Sequence, residues 1–501
     1  MNRLDLVLVN PGNRCSIYQN LGPSLAAIEP PVWAGLLATF ARHKGFSVQL
    51  IDANALGLGP EQVAEQVQTL DPCLTAVVVF GHQPSASTQN MGAARLLCEA
   101  LKARRPSGKI ILLGGHVSAL PRRTLEEECA DFVCEGEGPY TLEKLLSALA
   151  GGESRLDEVP GLWYRNDGAI RSNPPAPLVN DLDRELNGVA WDLLPMDRYR
   201  AHNWHCFGHL DRRTPYASIY TSLGCPFKCV FCCINAPFGK PTYRLRDPRS
   251  VLAEIDLLVS RYGVRNLKIL DEMFVLNLNH VQAICDGIVE RRFDLNIWAY
   301  ARVDTVKPRF LQMLKKAGVN WLALGIESGS SLVRDGARKS FDRTDCLRVV
   351  RQIQDAGIHV IGNYIFGLPD DTLETMQQTL DLAQELNCEM ANLYVAMAYP
   401  GSQLYALAVQ EGWPLPPTWE GFSQHAPDTL PLPTRFVDAS VVLEFRDEAF
   451  TKYFTDPRYL EMITRKFGPE TTRHIEEMVS HKLVRNARSV ERSGCRPGRG
   501  S

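Results

Sequence analysis

Cysteine supplies the first chemical signal in this sequence. The segment TSLGCPFKCVFCCINAP places Cys225, Cys229, Cys232 and Cys233 within nine residues, while the other cysteines of the chain are scattered. Three of the four stand as Cys-x-x-x-Cys-x-x-Cys, and Cys233 adds a sulfur directly beside the last. Thiolates at this spacing can wrap one face of a 4Fe-4S cluster, whose full protein ligand set is four cysteines. A set of three leaves one iron open, and an open coordination position separates a site that binds substrate from one that only stabilises. A zinc ion completed by Cys233 or a distant histidine would use the same ligands, although zinc ribbons favour two separated Cys-x-x-Cys pairs and no second pair occurs. Four unrelated buried thiols are a poor account of such density.

A second group, HNWHCFGH, sets His202, His205, Cys206 and His209 at spacings a metal could use. Histidines in an aromatic-rich connecting segment more often pack or hydrogen-bond, and that is the expectation here.

These side chains need a scaffold. Residues 1–150 alternate short apolar runs (LDLVLVNP, FSVQLIDA, TAVVVFG, KIILLGG, DFVCEG) with amphipathic helical stretches, which predicts an α/β domain with a doubly wound, flavodoxin- or Rossmann-like parallel sheet. Ligands of such sheets sit beyond the carboxyl ends of the strands. Those ends read NPGN, DANALG, FGHQPSAS, LGGHVS and CEGEG, small and polar loops suited to a large planar or phosphate-bearing ligand; the plainer account is glycine and asparagine making turns. Residues 151–213 lose the rhythm and gather Pro and Asp, predicting a linker that packs on both neighbours. Residues 214–410 resume in six strand-then-helix units, from ASIYTSLG to MANLYVAMAYPG, which predicts a partial (β/α)6 barrel with its chemistry on the loops after the strands. The cysteine loop follows the first of these strands. Residues 411–501 read as a small helical appendage with a frayed tail, placed to cover the barrel mouth, and Trp413, Trp419 and Phe422 are expected to form its own core rather than line a pocket.

The formal charge of −3 and pI near 6.4 give no overall basic field, which excludes nucleic acid and anionic membrane as main partners. The first apolar run is too short for a signal peptide and no stretch reaches spanning length, so a cytoplasmic location is expected. In that reducing compartment a tight cysteine cluster is a metal or redox site rather than a disulfide framework.

CPFKCVFC resembles the Cys-x-x-x-Cys-x-aromatic-Cys loop of the radical S-adenosylmethionine enzymes. The stretches LGGHVSALPRRTLEEECADFVCEGEGPYTLEKLL, ILDEMF, GIESGS, YIFGLPDDTLET and AYPGSQLY, in that order across most of residues 1–405, resemble the landmarks of the cobalamin-binding branch of that family. The resemblance implies that Cys225, Cys229 and Cys232 ligate three irons of a 4Fe-4S cluster, that the fourth iron chelates S-adenosylmethionine, and that Cys233 is a bystander. It implies Phe231 against the adenine, with Gly367 and Pro369 letting backbone approach on the adenine side. Glu272, Arg302 and Glu327 would contact S-adenosylmethionine; the alternative for each is a ring of salt bridges tying strand ends together. Asp271 is expected to face the barrel interior. Cobalamin would lie on the strand-end loops, against Ser85, Gly114, Gly115, His116, Glu135 and Gly136.

One departure is informative. Many cobalamin-binding methyltransferases use Asp-x-His-x-x-Gly to place a histidine beneath cobalt, and the motif is absent here; His82 in FGHQPSAS lacks its Asp and its Gly. Cobalamin is therefore expected without a protein histidine on the metal. The activity implied is radical methylation of an unactivated carbon of a small molecule, started by a 5′-deoxyadenosyl radical, with a flavodoxin or ferredoxin as electron donor. Cyclisation, ring contraction or another oxidation with the same cofactors is the alternative, and a zinc-binding protein without catalysis is a distant one. The tRNA-modifying methylthiotransferases share the loop but add an N-terminal cysteine cluster and a basic tail domain; here Cys15, Cys73, Cys98, Cys129 and Cys134 are dispersed and no basic domain is expected.

Overall fold

The computed structural model describes residues 3–12, 19, 25–152, 155–339 and 341–486. Five parallel strands, β1 (Leu6–Asn10), β2 (Val48–Asp52), β3 (Leu74–Val79), β4 (Ile110–Gly114) and β5 (Phe132–Cys134), stand in the order β2-β1-β3-β4-β5. This is the flavodoxin-like arrangement. Helices cover both faces, so nearly every strand residue is buried and the runs are continuously apolar.

Within the stretch expected to be linker, β6 (Leu162–Asn166) and β7 (Ala169–Ser172) form an antiparallel hairpin that extends this sheet from β5. Its turn, Asp167-Gly168, takes positive φ at both residues (50° and 78°), the conformation that matches the twist of two flanking strands. The rest of the stretch packs on both neighbours. Tyr199 donates to Asp52 Oδ2 (2.8 Å) in the first domain, and Trp191 Nε1 donates to Glu254 Oε1 (3.0 Å) on a barrel helix.

The second sheet contains β8 (Tyr216–Ile219), β11 (Asn266–Ile269), β12 (Asn296–Arg302), β13 (Val319–Glu327), β14 (His359–Phe366) and β15 (Met390–Val395), all parallel, in the order β15-β14-β13-β12-β11-β8. It is an open barrel: β8 and β15 are edges. Between β8 and β11 the short strands β9 (Ser222–Leu223) and β10 (Arg244–Leu245) pair as an antiparallel ribbon.

An edge strand exposes unpaired backbone groups, and here the C-terminal segment takes them up. The Gln424 amide bonds both the N–H and the C=O of Val395 (2.9 and 3.0 Å), and Arg446 Nε donates to Leu393 O (2.7 Å). Helices Ala439–Phe454, Pro457–Phe467 and Pro469–Ser480 follow. They are pinned by Tyr453 to Cys388 O (2.7 Å), Tyr459 to Glu389 O (3.2 Å) and the Lys466–Glu389 ion pair. The appendage therefore lies along the open edge of the barrel. Its aromatics do not form a core of their own: Trp419 and Phe422 join the core of the first domain with Val77, Met91 and Val117, and Trp413 packs beside Leu404, Ala408 and Leu432. The reason is that residues 419–422 run onto the first domain, so close that a side chain on Gly92 would collide with Glu420. Among the described residues no helix is long and apolar enough to cross a membrane.

Candidate active site

The β9–β10 ribbon closes the base of the cysteine loop. Gly224, at φ 85°, is required there because a Cβ would meet Thr242 Cγ2 and O at 2.6 and 2.7 Å. Asp271, at the end of β11, accepts from Thr221 N (2.6 Å), Thr221 Oγ1 (2.5 Å) and Ser222 Oγ (2.6 Å), so its role is to lash β11 to the start of the loop. Val230 O accepts from Leu404 N (2.8 Å), and Cys232 N bonds Cys229 O (3.1 Å). The loop is held on the rim beyond the strand ends.

Cys225, Cys229, Cys232 and Cys233 are free thiols that line one cavity of about 1230 Å³. Burial pushes the Cys225 thiol up to about 11 and Cys233 up to about 12, and raises Cys232 well above the usual thiol range. Among the described residues no three His, Cys, Asp or Glu side chains converge on one point where a single ion would sit. A four-iron cluster does not ask for that convergence, since each thiolate takes a different iron, and three free thiols sharing one cavity wall fit such a group.

The three strand-end candidates line the same cavity. Glu272 follows β11 and forms no hydrogen bond among the described residues; burial, then the Asp271 charge, push it up to about 7 against the pull of Lys268. Arg302 ends β12. Its guanidinium lies 4.0 Å from the Phe227 ring, pairs with both oxygens of Asp304 (2.9 Å each) and donates from Nη1 to Cys229 Sγ (3.5 Å). Glu327 ends β13 just past a register shift and has φ 65°, a strained conformation for a residue with a Cβ. Lys339 pairs with its Oε1 and sits 5.8 Å from the Phe231 ring. Two of the three thus form ion pairs, with partners two and twelve residues further along the chain rather than with one another.

Gly367 stands apart, outside the lining of this cavity. Its φ of 81° needs glycine, its amide donates to Asp371 Oδ2 (3.0 Å), and the space a Cβ would take is filled by Val442 of the appendage (2.5 Å). The close approach made at Gly367 is to protein.

The loop after β3, His82 to Ala86 with Gln89, which includes Ser85, also lines the cavity. Its small and polar side chains fit a broad planar ligand. His82 Nε2 is 2.5 Å from Pro30 O, and Nδ1 lies within ion-pair distance of Glu29 Oε2 (3.2 Å) without making a hydrogen bond to a described residue. Gly115 opens onto a narrow neighbouring pocket of about 40 Å³ that also touches Cys233 and Glu272. The other expected strand-end positions do not line the large cavity. A Cβ on Gly114 would strike Val79 O at 2.3 Å; Glu135 Oε2 accepts from Trp163 Nε1 (2.7 Å); Gly136 exchanges hydrogen bonds with Ser118 and faces Pro237. His116 is buried between Thr88 Oγ1 (3.2 Å) and the Trp419 ring (4.3 Å), and burial lowers its pKa to about 3, so it is neutral. The 236–238 turn lies against Gly136, and Trp419 of the appendage lies against His116.

Several lining residues escaped the sequence reading. Lys268, central in β11 and 2% exposed at its side chain, pairs with Glu29 (2.8 Å), lies 4.6 Å from the Trp298 ring, and through Glu29 meets Tyr216 OH (2.9 Å). Although burial alone would raise it, His82 and Lys268 hold the Glu29 carboxyl well below the usual range. A lysine inside the apolar run NLKIL was the available signal. Tyr300 and Tyr399 bridge to the first domain through Gln83 (3.2 Å) and Gln89 (3.4 Å). In the 202–209 segment, His202 stacks on Trp204, His205 Nε2 is 3.0 Å from Asn296 O, and Cys206 donates to Arg212 O (3.5 Å) and Asn266 Oδ1 (3.4 Å). Burial lowers His202 to about 4 and His205 to about 3. The segment packs.

A doubly wound domain whose loop faces a three-cysteine loop on the rim of an open parallel barrel defines a class of two-cofactor enzymes. Comparison with known proteins agrees. Residues 21–146 match the B12 binding domain and residues 219–383 match the Radical SAM superfamily. An uncharacterized methyltransferase of Pyrococcus horikoshii is 29% identical over 424 residues, 84% of this chain and 87% of that protein. The anaerobic magnesium-protoporphyrin IX monomethyl ester cyclase of Rubrivivax gelatinosus is 27% identical over 395 residues, 77% of this chain and 68% of that protein. The structure of the radical S-adenosylmethionine methyltransferase TsrM from Kitasatospora setae, with cobalamin and a [4Fe-4S] cluster bound, superposes with a TM-score of 0.64 at 20% identity, over 82% of this chain and 78% of that one. The chain belongs to the cobalamin-binding radical S-adenosylmethionine enzymes and is methyltransferase-like.

Proposed function

We propose that this enzyme transfers a methyl group to an unactivated carbon of a small molecule. The observation that carries the reading is that the three-cysteine loop and the first domain's Ser85 loop line one cavity. Its volume of about 1230 Å³ exceeds the roughly 300–1,000 Å³ of a pocket for one small molecule, which leaves room for S-adenosylmethionine and a substrate together. When bound, the cluster supplies the electron that cleaves S-adenosylmethionine and the cobalamin carries the methyl group.

The chain's own residues bind, orient and exclude water. Cys225, Cys229 and Cys232 would hold the cluster, with Arg302 hydrogen-bonded to one of its sulfurs. Phe231, Glu272 and Glu327 would hold S-adenosylmethionine, Glu272 as an acceptor with no donor among the described residues. Ser85, Gln83 and Gly115 would carry cobalamin. His82 Nε2 is already bonded to Pro30 O, and its Nδ1 lies 3.2 Å from Glu29 Oε2, which supports cobalamin bound without a protein imidazole on the metal; nitrogen superhyperfine splitting from histidine in the electron paramagnetic resonance spectrum would contradict it. A cytoplasmic flavodoxin or ferredoxin would deliver the electron.

By-product stoichiometry tests the reaction. Methylation consumes S-adenosylmethionine twice, so anaerobic turnover should yield 5′-deoxyadenosine and S-adenosylhomocysteine in equal amounts with methylated product. The likeness to a cyclase supports the second reading, under which 5′-deoxyadenosine forms with product while S-adenosylhomocysteine stays at background.

A further inference from the structure

We propose that the end of the cavity at the barrel's open edge is an anion subsite, in which Arg446 holds a carboxylate or phosphate group of the substrate; this rests on the reading of the cavity as the substrate site. Arg446 lies on helix Ala439–Phe454, against β15, and lines the cavity with a side chain only 9% exposed. Its Nε donates to Leu393 O (2.7 Å) and its Nη1 to Asp447 Oδ1 (3.0 Å). Nη2 makes no hydrogen bond to a described residue, and Arg446 is among the residues that line the cavity.

Asp447 does not balance this charge alone. Arg485, whose side chain is 2% exposed, takes both of its oxygens, Nη2 to Oδ1 at 3.0 Å and Nε to Oδ2 at 3.3 Å. The remaining Arg485 nitrogen bonds Gln424 O (2.9 Å) and Thr429 Oγ1 (3.0 Å). Among the described residues, two buried guanidiniums thus share this carboxylate. His425, which also lines the cavity, is neutral, since burial and the two arginines lower its pKa to about 3. A buried excess of positive charge is costly unless paired, and Arg446 lines a space in which an anion could complete the pairing. Glu444 and Glu448 line the cavity from the same helix, but both are exposed to solvent and Glu448 bonds Lys452 (3.4 Å), so their fields are screened. His481 and Lys482, just past the last helix, add further donors to the lining. A planar guanidinium with one free edge suits the oxygens of a carboxylate or phosphate.

The experiment uses the full chain in low-salt buffer, titrated with inorganic phosphate or with propionate, reading the heat-unfolding midpoint against sodium chloride at equal ionic strength. The expected result is a saturable rise beyond the salt control, with the stronger anion telling phosphate from carboxylate. Affinity should fall at least about tenfold, about 1.4 kcal/mol, in Arg446→Gln, and Arg446→Lys, which keeps the charge without the fork, should be intermediate. No saturable rise with either anion, or equal affinity in Arg446→Gln, overturns the subsite. Because the titration needs no turnover, 5′-deoxyadenosine formation on the same preparation reports separately on the catalytic reading, and either can fail alone.

Discussion

Glu327 lets a cofactor contact be separated from a structural ion pair. Its carboxylate and the Lys339 ammonium are paired with side-chain exposures of only 7% and 6%, and its backbone holds φ 65°. Removing one partner of a buried pair costs about 3–5 kcal/mol, because the other charge is left unpaired. Glu327→Gln keeps the backbone strain and strands Lys339, so it should lower stability by about that amount. Glu327→Gly relieves about 1–2 kcal/mol of left-handed strain and should lose correspondingly less. Glu327→Gln combined with Lys339→Met removes both charges and should recover most of the stability. Binding should behave differently: if the carboxylate touches S-adenosylmethionine, the double variant stays weak. The assay pairs heat-unfolding midpoints at a fixed scan rate with equilibrium dialysis of S-adenosylmethionine on the cluster-loaded protein. Wild-type binding in the double variant would refute the reasoning and leave Glu327 as a structural tie.

Two further outcomes are expected. Cys225→Ala, Cys229→Ala and Cys232→Ala should each abolish S-adenosylmethionine cleavage while Cys233→Ala keeps iron and cleavage, since three thiolates complete the protein's share of the cluster; equal iron loss in the Cys233 variant would move the ligand set. Although burial alone would raise it, His359 and Lys466 hold the Glu389 carboxyl down to about 2. Against an unfolded value of about 4.3 this shift is worth about 3 kcal/mol, fully present above the unfolded value and lost as pH falls toward 2. The midpoint difference between wild type and Glu389→Gln should therefore shrink as pH falls below about 4.3, and a difference that held steady to pH 3 would argue against the pairing.

The sequence by itself determined the two parallel sheets, the order of their strands' appearance and the place of the cysteine loop, because these depend on local periodicity and on spacing within a few residues. β15 falls within the run MANLYVAMAYPG, and β8 starts one residue before ASIYTSLG. The β6–β7 hairpin was also legible in principle, from Asp167-Gly168 between alternating residues, but the Pro- and Asp-rich surroundings masked it. Tertiary structure alone decided what faces the cavity. Lys268 meets a partner 239 residues away in sequence, and Trp419 leaves its own segment to pack on His116. Gly367 and Glu327 both end strands in left-handed backbone, yet one is filled by Val442 and the other is open to the site. A strand-end residue's type says what it could bind; whether space remains beside it is fixed by chain that returns from far away, and no local pattern encodes that return.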